Sequence, residues 1–365
     1  MRVLVSGVDT LHLAVRGVID EAVWARLDAA RLEAHETEDL VPVELGDGQD
    51  FNVHGHGLRG QSLWLSSPDY ELLLGRNEKF PAALVQLHSA YLHSMGVRDA
   101  VQLACSAIAR EVFGGGGVFT VSRIDLYADV QGWPLDVGHL QRFVSKGRAW
   151  KGHPQSERDI DGFHTFGRRT TGFVFGRKVL SCRIYDKTTQ IRQRGGVSWL
   201  PDLWGEHSSD EPVWRVEFQI RRPVLVDFGL RTVGETLAGV QDLWRYCTED
   251  WLTYRQPSRD RRVRRWPIDP VWRTVQDVRI SPGLLGVVRR RIAQATEERL
   301  VQGLQGYLSA LAALKGWDDL PVALNGTRGA VEAYLLARDR TWDGEVARKA
   351  ERLMSVTGWA DVEAA

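Results

Sequence analysis

In the stretch running from Thr171 to Lys187 a tyrosine stands between two cations: Arg183, Tyr185 and Lys187 follow one another at two-residue spacing. A phenol flanked in this way suits phosphoryl transfer to its oxygen, with the guanidinium and the ammonium gripping phosphate oxygens. Strand alternation puts Leu180, Cys182 and Ile184 on a face that can be buried, and Ser181, Arg183, Tyr185 and Lys187 on the opposite one. Phe173 to Phe175 is the partner strand, and Gly176, Arg177 and Lys178 supply the turn of a hairpin. A solvated strand face with a half-buried tyrosine has the same pattern, so the chemistry needs further groups.

Two other segments supply them. In Val121 to Val130 the apolar face is Ile124, Leu126, Ala128 and Val130, opposed by Arg123, Asp125, Tyr127 and Asp129. In Val213 to Arg221, Trp214, Val216, Phe218 and Ile220 oppose Arg215, Glu217, Gln219 and Arg221. Three strands built alike predict an antiparallel sheet with helices on one face and the other face open, so that Asp125, Asp129, Glu217, Tyr185, Arg183 and Lys187 share one floor. A salt-bridged outer face is the plainer explanation. Against it, Asp125 and Asp129 on one strand repel unless a cation lies near them. Carboxylate oxygens suit Mg²⁺ or Mn²⁺, with Asp125 and Glu217 as ligands and Asp129 as a third or supporting acid. Such an ion polarises a phosphate oxygen while Tyr185 attacks in line, leaving a phosphotyrosyl-DNA link.

The positioning elements come from the rest of the chain. Its 365 residues, 43% hydrophobic and 26% charged, are those of an ordinary globular protein with an ample core. Lys plus Arg and Asp plus Glu both total 47, so any basic surface must arise by segregation. Cys105, Cys182 and Cys247 are isolated, which excludes a thiolate zinc pattern and a disulfide framework and suits a reducing cytoplasm. There is no signal-peptide core and no apolar run of membrane-spanning length, so no membrane role is expected.

The order of elements starts twice. VSRIDLYADVQG at 121–132 echoes VSGVDTLHLAVRG at 5–17, aligning Asp125 with Asp9, and the glycine run Gly114 to Gly117 separates the two halves. The expected architecture is therefore α+β: an antiparallel sheet with helices on one face, an internally duplicated unit, and a mostly helical C-terminal region. The expected boundaries are 1–117 for an N-terminal half, 118–253 for the half with the chemistry, 254–283 for a basic linker and 284–365 for the helices. In the linker, Arg261, Arg262, Arg264 and Arg265 cluster near Trp266, as in an arm that contacts nucleic acid. Arg177, Arg215 and Arg221 are further candidate DNA contacts around the floor.

SRIDLYAD, FVFGRKVLSCRIYDK and WRVEFQIRR, in that order, resemble the replication initiation factor (Rep-trans) family of rolling-circle plasmid initiators and the related relaxases of conjugative elements. The resemblance covers roughly residues 120–250. It implies that Tyr185 is a nicking tyrosine and that Asp125 and Glu217 are acidic metal-site positions. It further implies Mg²⁺- or Mn²⁺-dependent nicking and rejoining of one strand at an origin through a 5′-phosphotyrosine intermediate. The implied partners are DNA, as a single strand or an extruded hairpin, and a host helicase; the oligomeric state is not indicated. Two other readings of the same residues are a DNA-binding regulator with a degenerate nicking domain and a nuclease in which water attacks. A histidine-metal nickase needs His-hydrophobic-His, and His54-Gly55-His56 is a poor match. P-loop, GxSxG and dinucleotide fingerprints are absent.

Overall fold

The computed structural model describes residues 1–45, 50–146, 163–166, 169–194, 199–280, 301 and 303–357, with side chains except at 163–170, 194, 348 and 351–357. Among the described residues eleven strands form one antiparallel sheet. In chain order these are β1 (Arg2–Arg16), β2 (Val41–Glu44), β3 (Asp50–Val53), β4 (Leu63–Ser66), β5 (Tyr70–Leu74), β6 (Ala83–Leu87) and β7 (Val118–Gln131), then, after the separate short strand β8 (Phe143–Ser145), β9 (Phe163–Phe166), β10 (Arg169–Arg177), β11 (Leu180–Asp186) and β12 (Val213–Arg221). In space they run β2-β3-β4-β5-β6-β1-β7-β12-β11-β10-β9.

The two long strands, β1 and β7, pair with each other at the centre, and each is flanked by the last strand of its own half, β6 and β12. The topology therefore repeats, and the repeat's axis passes through the middle of the β1–β7 pair. Asp125 faces Thr10 there, and Asp9 sits at a bulge in the register between Val8 and Thr10. The glycines between the halves accommodate the turn into β7: Gly114, Gly115 and Gly117 all have positive φ.

Alternation decides the two faces. Leu11, Leu13, Leu63, Leu65, Leu72, Val85, Ile124, Leu126, Val216, Phe218, Cys182 and Phe173 are all buried on one side. Two helices cover that side over the first half, α1 (Glu21–Thr37), started by Asp20 accepting from two backbone amides, and α3 (Val97–Phe113). Over the second half the cover includes Leu225, Trp244 and Trp251, with Trp272 and Val275 of the helix Pro270–Gln276. One core thus spans both halves. The segment expected to be a basic linker is bound into it: Tyr254 ends β13 (Leu252–Tyr254), which pairs with β8, and Trp272 donates its indole N–H to the Thr248 carbonyl at 2.8 Å.

The polar face departs from the expectation of an open floor. One end of it is covered by α2 (Ser89–Met95), by the turn Leu200–Trp204 and by α4 (Lys187–Arg194); Trp199, Leu200, Leu203 and Trp204 form a second small apolar cluster there with Val213. The C-terminal region is helical over 303–315, Leu320–Leu336 and Trp342–Thr357, and Arg340 ties it to Glu44 on β2 at 3.4 Å.

Candidate functional site

The hairpin of β10 and β11 forms as its residues require. Gly176 has a φ of 69°, and a Cβ there would stand 2.6 Å from the Trp251 ring and 2.7 Å from the Leu180 carbonyl, so only glycine fits this bend. Lys178 takes the left-handed position of the turn, at φ 65°. At the far end of β11, Asp186 stops the strand and caps α4, accepting from the Thr189 amide at 2.9 Å and the Thr189 hydroxyl at 2.8 Å. Lys187 is therefore the first residue of a helix instead of the last of a strand. Its Nζ still lies 5.6 Å from the centroid of the Tyr185 ring, and it donates to Gln190 Oε1 at 2.8 Å.

Register brings Tyr185, Arg183 and Glu217 together. Arg183 faces Glu217 across the β11–β12 pair, and Tyr185 faces Arg215. The Tyr185 hydroxyl donates to Glu217 Oε2 at 2.8 Å while Arg183 binds Oε1 of the same carboxylate. Tyr185 is half-buried, Arg183 is 47% exposed and Glu217 only 1%, so the phenol stands between solvent and a buried acid. Burial pushes the phenol's pKa well above its ordinary value, and the Glu217 charge pushes it further. The phenol is neutral until a base takes its proton, and Glu217 is the base in contact with it.

The other acids are separated. Asp125 is bound through both oxygens by Arg123, with Nε to Oδ1 at 2.8 Å. Burial raises the Asp125 carboxyl to about 6, and the charge of Glu217 adds to that rise. Asp129 lies four residues farther along β7, roughly 13 Å at strand rise. Arg215 grips it with Nε to Oδ1 at 2.7 Å and Nη2 to Oδ2 at 2.8 Å, and Trp204 donates its indole N–H to Oδ2 at 2.8 Å. Among the described residues no group of three or more His, Cys, Asp or Glu side chains is assembled to hold a metal ion. Asp129 therefore does not fit the ligand role expected of it, because its oxygens are committed to Arg215 and Trp204. Asp125 and Glu217 are buried carboxylates on one face, of the kind Mg²⁺ uses with substrate phosphate and water, but their oxygens are also engaged, by Arg123 and by Arg183 and Tyr185, so a cation would have to displace those partners, of which Arg123 and Arg183 reach in from partly exposed positions.

Arg215 is corrected as well. It is fully buried, so it cannot touch DNA, and its Nη1 donates to Asp9 Oδ1 at 2.6 Å. Its guanidinium also lies 3.9 Å from the centroid of the Tyr127 ring. The Tyr127 hydroxyl and His93 Nε2 are 2.6 Å apart, and His93 Nδ1 is 2.7 Å from the Ser89 carbonyl, so the neutral ring donates from Nδ1 and accepts from Tyr127. Burial lowers the His93 pKa and keeps the ring neutral. Burial alone would raise Asp9, but Arg215 and Lys187 together bring it down to about 2. Asp9, His93 and Trp204 are the site residues that sequence reasoning missed. Only Asp9 left a trace there, in its alignment with Asp125.

The remaining candidates are exposed. Arg177 stands at the hairpin tip and Arg221 at the end of β12. Arg261, Arg262, Arg264 and Arg265 are exposed around a short turn anchored by the Trp266 indole on the Asp260 carbonyl, and Arg265 lies 3.8 Å from Asp260. No helix among the described residues is long and apolar enough to cross a membrane.

No family model matches the chain. No curated protein matches it either. Among solved structures the chain is similar to a rolling circle replication initiator protein from Geobacillus stearothermophilus, with 14% sequence identity and a TM-score of 0.44 over 77% of this chain and 99% of that one.

Proposed function

We propose that the protein nicks and rejoins one DNA strand, as a rolling-circle replication initiator or relaxase does, with Tyr185 as the nucleophile. The observation that carries this reading is the Tyr185–Glu217 hydrogen bond of 2.8 Å, at the margin of the covered end of the polar face, with partly exposed Arg183 on the second carboxylate oxygen. Glu217 takes the phenol proton as the Tyr185 oxygen forms its bond to phosphorus and the P–O3′ bond breaks. The 3′ oxygen leaves with a proton from Lys187, whose ammonium burial and the nearby Arg215 have brought down to about 8. Arg183 meets the non-bridging phosphate oxygens as it leaves Glu217. The 5′-phosphotyrosine keeps the bond energy, and attack by a 3′ hydroxyl reverses the step. A divalent cation held by Asp125 and Glu217 would supply Lewis-acid stabilisation of the phosphate charge.

Tyr185→Phe is expected to abolish covalent attachment to labelled single-stranded DNA in Mn²⁺, read on denaturing gels, while DNA binding stays within a few fold. An adduct that survives this change removes Tyr185 as nucleophile. Cleavage without any adduct would identify water as the attacking group, and binding without cleavage a regulator.

A further inference from the structure

Across the polar face, register aligns one row of side chains on four neighbouring strands. Gln86 on β6 faces His12 on β1, His12 faces Arg123 on β7, and Arg123 faces Arg221 on β12. Arg59 reaches the same row from the turn Leu58–Gln61, with Nη1 3.3 Å from Gln86 Oε1. That turn holds Arg59 itself at φ 54°, a backbone region that non-glycine residues adopt at a cost.

The row is poorly arranged for an empty surface. Two arginines face one another across adjacent strands, an arrangement that destabilises a sheet. The Gln219 amide, oriented with its oxygen towards them, accepts from both, at 2.9–3.1 Å. Between the cations, His12 Nε2 is buried and has no hydrogen-bond partner among the described residues. Burial, with the fields of Arg123, Arg59 and Arg221, lowers the His12 pKa to about 3, so the ring is neutral, and as the Nε2–H tautomer it would have a hydrogen to give to a bound anion. Arg123 is paired with Asp125, which leaves the charges of Arg59 and Arg221 beside an unpartnered ring nitrogen at the seam of two halves, complementary to an anion with several acceptor oxygens.

We propose that His12, Arg59, Arg123 and Arg221 form a phosphate-binding subsite that holds one backbone phosphate of the DNA strand bound at Tyr185. The identity of the anion as a phosphodiester rests on the proposed function above. The row lies four residues along β12 from Glu217, roughly 13 Å at strand rise, or about four nucleotides at the ~3.4 Å spacing of a stacked strand. The subsite therefore sets which phosphate of the strand is presented to the phenol.

The test is fluorescence anisotropy with a fluorescein-labelled single-stranded oligonucleotide, in a Tyr185→Phe background so that only binding is read, over a range of salt. Arg59→Gln and Arg221→Gln alter exposed side chains, and circular dichroism confirms that they fold. Each is expected to weaken binding about tenfold and to reduce the salt slope by about 0.7, the share of one phosphate contact on a single strand. His12→Phe is expected to weaken binding with the slope unchanged, because a neutral donor is lost. Slopes and affinities unchanged in both arginine variants would overturn the subsite. Unchanged slopes here, with an adduct formed by the protein that retains Tyr185 in the gel assay above, would overturn the subsite and leave the nicking reading standing; changed slopes, with no adduct in that assay, would support the subsite and remove the nicking reading.

Discussion

Lys187 is buried to 6% exposure beside the Tyr185 ring, and its pKa of about 8 places its charge within the working range of pH. Burial is the main cause, followed by Arg215, while Asp9, Asp129 and Glu217 pull the other way. The folded protein therefore carries this ammonium below pH 8 and loses it above. The rate of adduct formation is expected to fall about tenfold per pH unit above 8. Lys187→Arg should remove that alkaline limb, because a guanidinium does not lose its proton in this range. An alkaline limb that persists in Lys187→Arg would show that another group titrates.

At this same scale the sequence was legible in part. Alternation identified which side chains share a face, so Tyr185, Arg183, Glu217 and Asp125 were correctly placed on one side of one sheet. It could not identify rows. Which acid meets which arginine depends on register between strands far apart in the chain, and that register gave Asp129 to Arg215 and Glu217 to Arg183.

Among the elements, α2 and the turn Leu200–Trp204 change the character of the site most. They come from outside the three polar-faced strands, and neither reads as a cover in the sequence: the strand β6 stops at Leu87 and α2 starts only two residues later, at Ser89. Their arrival turns half of the polar face into an interior in which Arg215 balances Asp129 and Asp9. Removing one partner of such a buried pair leaves charge without compensation. Arg215→Met is expected to lower stability by about 3–5 kcal/mol in urea denaturation. A loss below about 1 kcal/mol would mean that the two aspartates find water or protons instead.

For the whole molecule, the core was legible because hydrophobic alternation on the long strands is strong, and so was the repeat, through VSGVD and VSRID. The binding of 254–280 onto the second half was not, since its prolines and arginines resemble those of a tether while Trp272 and Val275 are the residues that pack. The buried histidines govern how the whole fold meets acid. His12 is neutral in the folded chain down to about pH 3, whereas the unfolded chain takes up its proton near the ordinary 6.5. Its contribution to stability is present above 6.5 and is lost as pH falls below it, at about 1.4 kcal/mol per pH unit. His93 acts in the same direction, and Asp125, with its carboxyl raised to about 6, acts against them between about 6 and 4. Urea midpoints of wild type and His12→Gln, compared between pH 6.5 and 4, should differ in pH slope by the share of one histidine. Parallel curves would show that His12 is protonated in the folded protein.

The β1–β7 ladder has a mechanical consequence. Two halves stitched along their longest strands by backbone hydrogen bonds cannot swing like jaws, since any hinge would have to unzip the centre of the sheet. The two halves of the sheet form a fixed jig. If the proposed strand exchange takes place on it, the travel falls to the nucleic acid, whose free end would leave and return while the bench beneath it stays still.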